Sequence, residues 1–245
     1  MLLFGNPTIE GLLAIAFVLL LGMGIHEAAH AYTANWWGDP TPRNMGRLTM
    51  NPFVHINWVG WLMFLLIGFG ILGSVPVNPR LMRDPRWGSF WTSFAGPLSN
   101  LAQAIAYAIL FRIFGASFLE LNTLPTTVIY NIMLYGVLFN VLLFVFNLLP
   151  FFPLDGWHML LALLPGRGMH YKDVPAPVSQ NVPQLSSFLQ QPAYKWQQWA
   201  QASQTVFIGL IIFSLIAGQI GLGFLSPLNV LIGGPTVQLT SLLLG

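Results

Sequence analysis

Cysteine is absent from the 245 residues, and only 7% of them are charged. Without thiols the chain can form no disulfide and offers no thiolate, so any metal it holds must be bound by histidine and carboxylate. A soluble domain carries about 25% charged residues. With 55% hydrophobic residues beside so few charges, the surface cannot be water-facing throughout, which points to an integral membrane protein. Nine Lys and Arg against seven Asp and Glu leave a formal net charge of +2, too little for a nucleic-acid footprint. No basic stretch precedes the first apolar run and its only early charge is Glu10. That run is therefore read as a retained membrane helix rather than a cleaved leader.

Within that run stands one polar turn, His26-Glu27-Ala28-Ala29-His30. Histidines four apart share a helix face, so both imidazoles can reach one metal ion, and the intervening glutamate is placed to accept a proton from water. Composition alone would give about 0.003 such patterns in a chain of this length. Ionisable groups at membrane depth are costly and usually functional.

Asn6-Pro7 reads as a cap, with a helix from about Thr8 to Trp37 that stops at Gly38-Asp39-Pro40. Gly46-Arg47-Leu48-Thr49-Met50 alternates weakly and predicts a short strand ended by Asn51-Pro52. The run from Trp58 to Leu72 is short for a span and is interrupted by Gly60, Gly68 and Gly70, so it either crosses or re-enters. Spans are expected over residues 87–114 and 126–149, with Ala95-Gly96-Pro97 inviting close helix approach. Residues 166–204 read as a polar loop or gate. Two apolar segments follow, about Val206–Ile220 and Leu222–Leu244, the second broken by Pro227 and Gly233-Gly234-Pro235.

Two histidines leave zinc incomplete, and Asp155 is the best third ligand. It follows a helix broken by Pro150 and Pro153, and Gly156 lets the chain turn beside it. Its plainer alternative is a cap for a helix starting near Trp157. Glu10, Asp39, Asp84, Glu120 and Asp173 fall at ends or in loops, where solvated charge explains them. His55, His158 and His170 read as local histidines, and Asn100 and Asn140 as helix-packing residues. For His26, His30 and Asp155 to meet, the first helix and the 126–149 helix must run in the same direction. An odd number of crossings then separates them, so residues 58–72 should re-enter. Every Lys and Arg except Arg112 then lies on one side, which the positive-inside tendency makes cytoplasmic.

These motifs, with Pro76-Val77-Asn78-Pro79, Asn100 and the run Asn147-Leu148-Leu149-Pro150-Phe151-Phe152-Pro153-Leu154-Asp155-Gly156, resemble the site-two protease family of zinc intramembrane proteases. The resemblance is to a short form without a PDZ domain. It implies an all-α polytopic membrane protein with a three-helix catalytic core, a small β and re-entrant region, and further C-terminal transmembrane helices. The 245 residues would form one domain, with a catalytic core of about residues 8–165. The resemblance also implies one zinc ion per chain on His26, His30 and Asp155, Glu27 as general base, and Asn147 as a substrate or oxyanion contact. Substrates would be single-span membrane proteins, and the setting a prokaryotic cell membrane with the site toward the cytoplasm. The alternative is a transporter or binder of zinc or another cation, which predicts ligands spread along a pore rather than gathered at one depth.

Overall fold

The computed structural model describes residues 8–67, 73–121, 123–163, 183–219 and 226–245. Helix α1 (Ile9–Trp37) is capped by Thr8, whose hydroxyl accepts from Gly11 N at 3.3 Å. It stops where Gly38 turns left-handed at φ 105°, sending its N–H to Asn35 O and that of Asp39 to Ala34 O. Asn6, part of the expected cap, lies outside the described residues.

Two single-turn helices follow, α2 (Thr41–Asn44) and α3 (Pro52–His55). The strand expected over Gly46–Met50 does not form. Gly46 has φ 68°, and Arg47 N donates back to Pro42 O at 2.8 Å, so the backbone closes on itself instead of extending toward a partner. Among the described residues no strand is present, and Ile56 and Gly73 form one isolated antiparallel bridge.

That bridge joins the two ends of the next apolar run. Helix α4 (Trp58–Ile67) leaves directly after Ile56, and the chain is back beside Ile56 at Gly73. Its ten residues rise about 15 Å, half the hydrocarbon thickness. The two described ends of this stretch, Ile56 and Gly73, thus lie side by side. Gly68 and Gly70 lie outside the described residues.

Asp84 opens α5 (Pro85–Leu121), accepting from Arg86 N and Trp87 N at 2.9 and 3.0 Å. Pro97 sits inside this helix without ending it. Helix α6 (Leu124–Asn147) begins with a Thr123–Thr126 capping box. It ends before the prolines, and α7 (Asp155–Leu163) starts at Asp155 itself. Helix α8 (Pro183–Gln219) reaches well into the stretch expected as a loop. Proline at its first position and the helix-forming Gln, Ala and Leu that follow favour this extension. A π-helical turn at Asn229–Gly233 leads into α9 (Gly234–Leu244).

Helices α1, α5 and α6 pack mutually, with α7 against α5 and α9 against both α5 and α6. Ile15, Val18 and Leu19 meet Phe139, and Ala104 and Ala108 meet Val137 and Val141. Small residues set the spacing: a Cβ at Gly136 would lie 2.4 Å from the Tyr107 ring. Among the described residues four helices are long and apolar enough to cross a bilayer: Ile9–Trp37, Pro85–Leu121, Leu124–Asn147 and Gln198–Gln219. The architecture is that of a multi-pass, all-α membrane protein.

The chain has no cysteine of its own, so single-cysteine variants carry one label each. If residues 58–72 re-enter, Met50→Cys and Arg80→Cys, both at exposed positions flanking that run, should react with an impermeant maleimide from the same side of sealed vesicles. Labelling from opposite sides would show that residues 58–72 cross.

Candidate metal centre

His26 and His30 lie one turn apart in the last third of α1, and Asp155 opens α7. Their ligand atoms converge. His26 Nε2 and His30 Nε2 are 3.0 Å apart, and the Asp155 carboxylate places Oδ2 3.2 Å from the first and Oδ1 3.3 Å from the second. Both histidines are buried and Asp155 is 17% exposed. Two segments 125 positions apart in sequence, His30 and Asp155, meet as the ligand requirement predicted.

The protonation of this cluster follows from its hydrogen bonds. Asn140 Nδ2 donates to Gly136 O at 2.9 Å, which turns its Oδ1 toward Asn100 Nδ2, 2.9 Å away. Asn100 Nδ2 also donates to Gly22 O at 3.2 Å, so Asn100 Oδ1 is the atom 2.7 Å from His26 Nδ1. An oxygen acceptor there requires N–H at Nδ1 of His26. The Thr92 carbonyl, 2.6 Å from His30 Nδ1, requires the same of His30. Neutral imidazoles so arranged keep a lone pair at Nε2. Asp155 Oδ2 is buried and likewise receives no hydrogen bond.

Three acceptors thus face one point with no donor between them, an arrangement that repels unless a cation is shared. A tetrahedral zinc shell at about 2.0–2.1 Å has ligand–ligand edges of about 3.3–3.4 Å. Separations of 3.0–3.3 Å fit that shell with little movement. The residues present fit a zinc ion.

Local packing leaves room for little else. A Cβ at Gly96 would lie 2.4 Å from His30 Nε2 and 2.7 Å from His26 Cε1, so the glycine of Ala95-Gly96-Pro97 accommodates the ligands themselves. A Cβ at Gly156 would lie 2.3 Å from Leu148 O, which places α7 directly on the end of α6. Arg86 fixes the other end of α7, donating from Nε to Ala162 O at 2.6 Å and from Nη2 to Leu163 O at 3.2 Å.

Glu27 is buried and lines a small cleft with Gly24, Pro52, His55, Trp61 and Gly73. A Cβ at Gly73 would lie 3.1 Å from Glu27 Oε1. Asn147 is not drawn to the cluster by a hydrogen bond, and its Nδ2 donates to Leu143 O at 3.0 Å within its own helix. His158 lies outside the cluster, where burial pushes its imidazole below the ordinary value. His170 and Asp173 lie outside the described residues.

Three roles were not foreseen. Asn100 does pack helices, but it also orients His26, and the Thr92 carbonyl orients His30. Asp39 is not solvated: it is fully buried and accepts from Thr41 N at 2.9 Å and Asn78 N at 2.6 Å, tying the returning chain to the end of α1. Asn78 two residues beyond a proline was the available hint for that tie.

The protein named "Putative zinc metalloprotease YwhC" of Bacillus subtilis (strain 168) is 36% identical to the chain over 151 residues, covering 62% of this chain and 69% of that protein. No family profile and no solved structure matches.

Removing the Asn100 acceptor frees the His26 tautomer. Asn100→Ala should weaken zinc affinity about 10–100-fold, the usual cost of losing a partner behind a ligand. Competition against a fluorescent chelator measures it, and an unchanged affinity would remove Asn100 from the site.

Proposed function

Because the chain belongs to the zinc metalloprotease family of YwhC, we propose that it is an intramembrane endopeptidase of the site-two protease kind, cutting single-span membrane proteins within or near their transmembrane segment. The observation that carries this reading is the meeting of His26, His30 and Asp155 beside Glu27 on a membrane-length helix. Those three residues would hold one zinc ion. When bound, it supplies Lewis-acid chemistry, polarising a carbonyl and lowering the pKa of water toward ~7.

The chain's own residues do the rest. Asn100 and Thr92 hold the two imidazoles in the tautomer that leaves Nε2 free. Glu27 takes a proton from the attacking water at a carboxylate oxygen and hands it to the leaving nitrogen. Asn147 Nδ2 carries two hydrogens, of which one goes to Leu143 O, leaving the second for the developing oxyanion. A helical substrate hides its peptide bonds behind its own hydrogen bonds, so it must unwind before it reaches Glu27.

With residues 58–72 re-entrant, Arg43, Arg47, Arg80, Arg83 and Arg86 share the side of the metal cluster. That bias supports a cytoplasmic site in a prokaryotic cell membrane. A cation transporter is the competing reading, and the convergence of all three ligand atoms within 4.8 Å of one another favours a single fixed site over a pore.

Glu27→Gln separates the two. It should keep zinc, measured by metal analysis of the purified protein, and lose about 10²–10⁴-fold in cleavage of a single-span substrate. Full cleavage by this variant would overturn the assignment of Glu27, and zinc flux retained in proteoliposomes would favour transport.

A further inference from the structure

One buried group has no part in this chemistry. His55, the last residue of α3, is 2% exposed. Its Nε2 lies 2.9 Å from the Thr49 carbonyl, which can only accept, so Nε2 carries the hydrogen. In the neutral ring Nδ1 is then a lone pair, and this atom is buried with no hydrogen-bond partner. A buried acceptor left unpaired calls for an explanation.

The surroundings supply one. Helix α3 is clamped to α1, since a Cβ at Gly24 would come 2.5 Å from Pro52 Cβ and 2.9 Å from its Cα. Asn51 caps α3 by accepting from Phe53 N at 3.1 Å, and the Arg47 guanidinium donates to the Val54 carbonyl. Gly73 closes the other side, within 3.1 Å of both Glu27 Oε1 and the His55 carbonyl when its missing Cβ is drawn in. Glu27 and His55 consequently line the same cleft. Its free space admits about one water molecule. Two acceptors on its wall, the Glu27 carboxylate and the His55 imidazole, stand beside the Trp61 indole, and the smallest molecule that donates to two acceptors is water.

We propose that His55 is a positioning residue for Glu27, acting through a water held between its Nδ1 lone pair and the Glu27 carboxylate. The water gives one hydrogen to each and fixes the rotamer in which Glu27 meets substrate. No proton is transferred along this link; Glu27 receives its proton from the attacking water and passes it on, while His55 stays neutral. The inference rests on the reading of Glu27 as the base.

Two substitutions split this role from simple packing. Glutamine places its amide nitrogen where Nε2 stood, so His55→Gln keeps the donor to Thr49 and removes the Nδ1 acceptor. His55→Asn places its oxygen where Nδ1 stood and gives up the tie to Thr49. On fluorescently labelled casein in detergent, His55→Gln should lose about tenfold in kcat with KM and zinc content unchanged, and His55→Asn should retain more kcat than His55→Gln. The reverse order, with thermal stability following activity, is the packing outcome and overturns the proposal.

A second readout needs no turnover. In protein carrying ¹⁵N-histidine, with the His55 signals identified by their absence from His55→Gln, the ring should be the Nε2–H tautomer and its Nδ1 resonance should move in Glu27→Gln. An Nδ1–H tautomer, or a resonance that ignores Glu27→Gln while that variant is inactive and holds zinc, overturns the role of His55 alone. Wild-type cleavage by Glu27→Gln instead removes the base on which it rests.

Discussion

Two imidazole lone pairs and a carboxylate aimed at one buried point form an arrangement that a protein without a cation would relax. Here they cannot relax, because each is held from behind. The Nδ1 atoms of His26 and His30 are committed to Asn100 Oδ1 and Thr92 O, and Asp155 is fixed at the head of α7 between Gly156, seated on the end of α6, and Arg86, which caps the far end. Inside a low-dielectric bundle the mutual repulsion of three acceptors is large. The fold stores that repulsion as affinity for a positive ion.

The same requirement sets helix direction and spacing. Ligands near the C-terminal end of α1 and just beyond that of α6 can meet only if those helices run in parallel, with α5 antiparallel between them. Thr92 and Gly96 near the start of α5 indeed face His30 near the end of α1. The Ile56–Gly73 bridge brings the two ends of the intervening apolar stretch together, as that requirement asks. Gly24, Gly96 and Gly156 mark places where backbone or the candidate ligands come closer than any Cβ permits, so some of the tightest packing among the described residues lies at and beside the candidate metal centre. In the absence of a hydrophobic drive between helices in lipid, such close approach is what holds a bundle together.

Local geometry made the centre legible in the sequence. Four residues along a helix bring His26 to His30 whatever the fold, and prolines at 150 and 153 expose the turn that Asp155 needs. The parallel run of α1 and α6 followed from the ligand requirement. The tautomer-fixing contacts were not legible, since a main-chain carbonyl such as that of Thr92 has no residue-type signal, and an asparagine that packs helices looks like one that orients a ligand. The alternation over Gly46–Met50 misled because β pattern needs a partner strand, and the turn closed by Arg47 N on Pro42 O offers none. Asp39 misled in the other direction: near a helix end it looked solvated, yet two backbone donors in reach let it be buried.

Charge balance explains why Glu27 and Asp155 are the buried acids at this depth. A divalent ion, the Asp155 carboxylate and the Glu27 carboxylate sum to zero, whereas either acid alone would leave a net charge to desolvate, at several kcal/mol per ion. In the proposed hydrolysis, a proton passing from water to Glu27 would move within this assembly and leave its total charge unchanged. The step therefore brings no new ionic charge into the bilayer, and its cost falls on orientation rather than solvation. Orientation is what Asn100, the Thr92 carbonyl and the clamped α3 beside Glu27 would provide in that reaction, a use for polar groups buried around the cluster without being among its three ligands.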